Sequence, residues 1–266
     1  MRAISVRGAR GFTLTELAVV FAIIGFLLGT AMYTLSAQTE QRNFDETRRR
    51  LEAARDLLLA FAIVNGRLPC PATDVSPDEA GGGGACTTPY PVAGPPASGF
   101  LPARSIGYQV VDTAGYAIDA WGNRIRYAVS GVTAGTITGC TGTSTTPHFT
   151  SATNLRTNGI TCRPDDLVVC RSATGITATG CGSAANAVTN YTTPNKPVVA
   201  VLFATGKNGA VGSGGVDEAA NVNGDPVFVW HTPAPVGAAN GEFDDLMLWI
   251  PVGELYGKLI AAGVLP

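Results

Sequence analysis

The chain has 266 residues, among them 33 glycines and 17 prolines, and only 14% are charged, well below the usual quarter. Apolar residues make up 45%, enough to bury a core and too many for a disordered chain. The formal charge is −2, from 18 basic and 20 acidic residues, so no global basic field marks the chain for nucleic acid.

The averages hide two asymmetries. Helix-favouring sequence lies in the first 65 residues, whereas most Gly and Pro and all the Cys lie after them. At the start, Arg2, Arg7 and Arg10 are the only charges before Glu16, and Leu17–Tyr33 carries none. A spanning helix needs about 17–25 apolar residues. Phe12–Leu35 is interrupted only by Thr13, Thr15, Glu16, Thr30 and Thr34, which suffices, and the arginines before it predict a cytoplasmic start with the rest exported. A secretory signal peptide has the same order, and Gly29 and Ala31 offer small residues for a conventional cut. Its apolar stretch, however, is only about 7–15 residues, and here the helical pattern continues to Asn65.

The boundary reads Arg10-Gly11-Phe12-Thr13-Leu14-Thr15-Glu16 and closely resembles the processing motif of type IV prepilins and type II secretion pseudopilins. The resemblance implies that prepilin peptidase cuts between Gly11 and Phe12 and N-methylates Phe12. Residues 1–11 are then a leader, 12–35 a transmembrane and filament-core helix, 36–66 its amphipathic half and 67–266 a β-rich head. It also implies a single-pass inner-membrane protein with its head in the periplasm, which joins a periplasmic or cell-surface filament. The implied partners are the peptidase, other pilin or pseudopilin subunits and the inner-membrane assembly platform, with no specific nucleic acid. Gly25 sits where such proteins commonly carry glycine. Tyr33 stands where major pilins often place proline, which favours a minor subunit.

Glu16 has two readings. A carboxylate at the start of a helix is favoured by the macrodipole and free N–H groups. By the resemblance, Glu16 also pairs in the filament with the N-terminal amine of a neighbouring Phe12 and sets the axial register. At full depth an unpaired carboxylate costs about 3 kcal/mol, so a partner is expected.

Downstream, Leu51, Ala54, Leu58 and Phe61 form one stripe at helical spacing. Arg48-Arg49-Arg50 reads as a solvated face, because nearby acids offset it and no aromatic platform accompanies it. Gly66 and Pro69 end the helix. From Phe12 to Asn65 such a helix is about 80 Å long.

The rest is turn-rich. Gly81–Gly84 lacks the ending and the preceding strand of a phosphate loop and reads as a plain loop. Arg124–Val129, Leu167–Cys170, Val198–Ala204, Val227–Trp230 and Leu246–Ile250 read as strands, and Glu254–Ala262 as a short helix. The order predicts an α+β fold: a long N-terminal helix packed on an antiparallel head sheet with disulfide-braced loops, the pilin-like arrangement. Asp119-Ala120-Trp121-Gly122, running on to Tyr127, is similar to a segment of the major-type pseudopilins. This likeness makes Trp121 and Tyr127 core anchors and places Gly122 at a turn.

Ala204–Gly209, with the glycines up to Asp217, is similar to the loop before the calcium site of those proteins. The likeness nominates Asp217, Glu218, Asn221, Asn223 and Asp225 as calcium ligands; an ordinary polar loop is the alternative, and no other cofactor is expected. Cys70, Cys86, Cys140, Cys162, Cys170 and Cys181 all lie in the exported part, where disulfides form. Six cysteines permit 15 connectivities, and loop economy favours Cys70–Cys86, Cys140–Cys162 and Cys170–Cys181. There is no Gly-x-Ser-x-Gly elbow and no His-Glu-x-x-His. His148 falls in a loop, His231 at a strand end, and Asp244-Asp245 reads as a turn before the last strand, with an acid–base pair as its alternative. The expectation is a structural subunit and not an enzyme. It serves either a type II secretion pseudopilus or a type IV pilus, in the latter case as a minor pilin. The alternative is a signal-anchored periplasmic binding protein or enzyme that keeps its N-terminal helix uncut.

Overall fold

The computed structural model describes residues 13–82, 86–94, 96–137, 139–141, 146–192, 196–209 and 214–265, with only the backbone of 28 and 30–37. The chain divides into two compact units, Met1–Asn43 and Phe44–Pro266. Helix α1 runs over Leu14–Asn65, two residues short of the expected start and matching the expected end. In the first unit its described apolar side chains lie open, with Leu14 85%, Phe21 63% and Phe26 74% exposed. Among the described residues no helix is long and apolar enough to cross a membrane. The span expected at 12–35 lies partly outside them.

The second unit uses the last part of α1 as a wall of its core. Leu51, Ala54, Leu58, Leu59 and Ala62 are buried there and Phe61 partly so, the stripe that the 3.6-residue period predicts. At the helix end the Gly66 N–H donates to the Ala62 carbonyl at 2.8 Å with φ at +68°, a left-handed cap that a side chain would oppose. Of the three consecutive arginines, Arg48 pairs with Glu52 and Arg49 with Glu46 at the surface. Arg50 binds Glu46 and donates to the Ile118 and Asp119 carbonyls, tying the helix to the head.

Among the described residues seven short strands follow: β1 (Ala72–Thr73), β2 (Ser98–Phe100), β3 (Arg126–Val129), β4 (Val168–Cys170), β5 (Val198–Ala204), β6 (Val227–Val229) and β7 (Leu246–Pro251). Between them lie α2 (Ala103–Ile106), α3 (Ala152–Asn158) and α4 (Val216–Ala220), and α5 (Val252–Ala261) closes the fold. Five strands make an antiparallel sheet in the order β1-β2-β3-β5-β7. β4 and β6 stand apart from it and pair with each other in parallel, Val168 opposite Val227 and Cys170 opposite Val229.

The second layer explains the composition of β5. All seven of its residues are buried. Val199, Leu202 and Ala204 pack in the cluster that contains the α1 stripe, while Val198, Val201 and Phe203 pack with Leu167, Val169 and Phe228. A strand covered on both faces reads as an unbroken apolar run instead of an alternation.

The Asp119–Tyr127 segment departs from expectation at one residue. Tyr127 is fully buried and its hydroxyl donates to the Pro69 carbonyl at 3.1 Å. Asp119 Oδ1 accepts from the backbone N–H of Trp121 and Asn123 at 2.9 and 2.8 Å, closing the turn that holds Gly122. Trp121 is not a core anchor: it stays partly exposed and stands edge-on to Phe44 at 4.9 Å. The turn aims it at the helix surface, one step outside the core that Tyr127 enters.

Candidate functional site

At the head of α1, Glu16 and Thr13 bind each other reciprocally. The Thr13 N–H and hydroxyl donate to Glu16 Oε2 at 2.9 and 2.8 Å, and the Glu16 N–H donates to Thr13 Oγ1 at 3.2 Å. This is a capping box that satisfies two N–H groups lacking partners at a helix start, and it gives Glu16 the first of its two expected roles. Gly11 and Phe12 lie outside the described residues, and with them the cut site and any pairing of Glu16 to Phe12.

The head gathers its acids where the β5–α4 loop meets the approach to β7. Glu218, Asp244 and Asp245 are all buried and offer carboxylate oxygens within 4.8 Å of one another. Glu218 accepts from the Asp244 N–H at 2.8 Å, from Asn208 Nδ2 at 3.0 Å and from the Gly214 N–H at 2.5 Å. Asp244 Oδ2 accepts from the Lys207 N–H at 2.9 Å, and Asp245 Oδ2 from Asn221 Nδ2 at 2.7 Å. Among the described residues Oδ1 of Asp244 and Oδ1 of Asp245 have no hydrogen-bond partner.

Burial, with the nearby Glu218 charge, pushes the Asp244 carboxyl up to about 6 and Asp245 well above the carboxylate range. Crowded carboxylates out of water hold their protons unless a cation neutralises them. The loop backbone is pressed against them: Gly206 has φ at +60°, and a Cβ there would lie 2.1 Å from Asp244 Oδ1. Hard oxygens at this spacing suit a hard divalent cation such as calcium.

The trio differs from the set nominated by sequence, of which Glu218 alone belongs to it. Asn221 stands behind, bridging Asp245 and the Val229 backbone. Asp217 turns elsewhere and accepts from the Ala173 N–H at 2.5 Å and Asn240 Nδ2 at 3.0 Å, with His231 Nε2 at 3.2 Å. Asn223 and Asp225 bind each other at 2.7 Å, and Asp225 holds the Val227 N–H. Neighbouring residues on a helix point about 100° apart, so α4 sends Asp217 and Glu218 to different sites. Asp244 and Asp245 were read as a turn, with an acid–base pair as the alternative, and not as ligands; two adjacent acids ahead of an apolar strand, facing a Gly-rich loop, were their signal.

Neither histidine lies beside the trio's oxygens. His148 is fully buried and edge-on to Phe149 at 4.9 Å, and burial lowers its ring to about 4. His231 stacks on Phe243 at 3.9 Å. His148 also lies near Cys140 and Cys162, whose sulfurs are bonded to each other. The structure joins Cys70 to Cys86, Cys140 to Cys162 and Cys170 to Cys181, with Cα separations of 5.5, 5.1 and 5.4 Å, so each bridge closes a local loop.

Residues 6–32 match the family model of the prokaryotic N-terminal methylation motif, the type IV pilin and pseudopilin signature. No curated protein and no solved structure matches the chain. The match covers Arg7 and Arg10, the Gly11–Glu16 stretch and most of the uncharged run. The chain thus carries the N-terminal methylation signature of type IV pilins and pseudopilins, which implies processing by prepilin peptidase and assembly with other pilin subunits.

Proposed function

We propose that this chain is a structural subunit, a minor pilin or a pseudopilin, of a type IV pilus-like or type II secretion filament, and not an enzyme. The methylation motif at 6–32 carries the reading. Residues 12–35 hold the precursor in the inner membrane with the head in the periplasm, and prepilin peptidase frees and methylates Phe12. Assembly then packs the apolar helices of successive subunits together. Glu16 pairs with the amine of a neighbouring Phe12, neutralising two charges that the apolar core would otherwise strand. The open side chains of Leu14, Phe21 and Phe26 support this reading, since a bilayer or neighbouring helices would cover them.

Mass spectrometry of the protein extracted from membranes tests it: N-methyl-Phe12 at the mature terminus is the expected result. An intact Met1, or a cut near Ala31, would favour a signal-anchored periplasmic protein instead. A deletion strain scored for enzyme secretion and for pilus-dependent motility separates the two machines. The Asp119–Tyr127 likeness supports the secretion pseudopilus, while Tyr33 and the large disulfide-bonded head support a minor pilin.

A second reading concerns the head alone. The unpartnered Oδ1 atoms of Asp244 and Asp245 favour a calcium ion on Glu218, Asp244 and Asp245, which would fasten α4 to the start of β7. Calorimetric titration of metal-free protein with calcium is expected to show one site, lost in Asp245→Asn.

A further inference from the structure

Arg126 on β3 shares a face of the sheet with Ala128, which packs away from the α1 stripe, because side chains alternate along a strand. Beside it opens a cavity of about 310 Å³ lined by Phe100, Arg124, Arg126, Asn208, Glu218 and Asp245, among others. Charges of both signs therefore line one small space.

The two guanidinium groups are not equivalent. Arg124 donates from Nε to Asp112 Oδ2 at 2.9 Å and lies over the Tyr116 ring at 3.8 Å, so its charge is answered. Arg126 lies over the Phe100 ring at 4.1 Å and donates from Nη1 to the Ser98 carbonyl at 3.0 Å. Among the described residues no carboxylate comes within ion-pair distance of it. Burial and the neighbouring Arg124 charge press its ionisation down to about 10. Arg126 is half-buried, and of the five N–H donors a guanidinium carries it places one on the Ser98 carbonyl, so the group is open to an oxyanion. The same cavity also touches Asp245, only 4% exposed, whose Oδ1 has no partner among the described residues.

A plain anion would meet Glu218 and Asp245 as well as Arg126, and a cation seated on those carboxylates, such as the calcium ion considered above, would leave the Arg126 guanidinium unanswered. We propose that the cavity binds a small zwitterion of the α-amino acid type, with its carboxylate on Arg126 and its ammonium on Glu218 and Asp245. The volume lies at the lower end of ligand sites, about 300–1,000 Å³, which admits one amino acid and no polymer. A carboxylate on a guanidinium makes two parallel charge-assisted hydrogen bonds, and the ammonium supplies donors for the idle carboxylate oxygen.

The test is calorimetry on the full chain in detergent, with a chelator present so that the carboxylates hold no metal. L-Alanine is compared with acetate and ethylammonium, its two halves. The expected result is saturable binding of alanine at least tenfold tighter than either half, and at least tenfold weaker alanine binding in Arg126→Gln with circular dichroism unchanged. The comparison of halves needs no variant, so it decides the matter even if Arg126→Gln fails to fold. Acetate binding as tightly as alanine, unchanged affinity in a folded Arg126→Gln, or no alanine binding at all would each overturn the proposal.

Discussion

The same residue types meet opposite fates in the two units. Val19, Phe21, Ile23 and Phe26 of α1 are 58%, 63%, 54% and 74% exposed, whereas Val198, Val201, Leu202 and Phe203 of β5 are fully buried. Burying such a side chain is worth about 1.5–3 kcal/mol. The head takes that gain within its own chain: α1 and α5 cover one face of the sheet, and the β4–β6 pair covers the other. The N-terminal segment has no such partner among the described residues, so its apolar side chains stay open, and the proposed function assigns their cover to a bilayer or to other subunits. One unit buries its apolar residues within its own fold, and the other leaves them open.

Substitutions can break this division, and the largest effects are expected at the start of the chain. Gly11→Val should abolish processing, leaving only the uncut precursor on an immunoblot. Glu16→Ala should leave processing and the head's melting temperature unchanged while removing the subunit from sheared filaments. Equal loss of head stability in Glu16→Ala would erase the distinction between the units. Within the head, Phe203→Ala removes a ring that packs on Phe228 at 5.9 Å. It should cost about 3–5 kcal/mol in urea unfolding and leave the N-terminal cut untouched. Cys170→Ser with Cys181→Ser opens a bridge between residues 11 apart in sequence, and should cost about 2–4 kcal/mol.

The smallest effect follows pH. Asp244, raised to about 6 by burial, holds its proton more tightly folded than unfolded. The stability it contributes is therefore complete below about pH 4 and lost as pH rises through 6. His148, lowered to about 4, runs the other way: its contribution is present above the unfolded histidine value and lost as pH falls through 4. Comparison with Asp244→Asn separates the two. Without metal, the melting temperature of the variant relative to the native protein should rise from pH 4 to pH 7. Calcium needs the carboxylate ionised, so its stabilisation should be larger at pH 7.5 than at pH 5.

Much of this was legible because it is local. The extent of α1, its stripe from Leu51 to Phe61 and the Gly66 cap follow from periodicity and backbone freedom over a few residues. So do β5 and the bounds of most other strands, to within two residues. The helix-start role of Glu16 was legible too, but Thr13 as its reciprocal capping partner was seen only in the structure. Trp121 was harder. Its neighbour Tyr127 enters the core, and only the turn at Asp119 decides that the indole meets Phe44 instead.

The amino-acid order by itself determined a long N-terminal helix with a methylation motif, a head rich in short strands, and cysteines spaced for local bridges. Each of these depends on neighbours in the chain. Tertiary structure alone decided that β4 and β6 leave the main sheet to cover the far face of β5, because a strand's partner depends on which surface needs burial. It also decided that Glu218 joins Asp244 and Asp245, residues 26 and 27 positions further on, while Asp217 does not. Electrostatic sites are set by distance in space. Here folding brought Glu218 to the adjacent pair Asp244 and Asp245, and the pairing across that distance in sequence is what chain order alone did not specify.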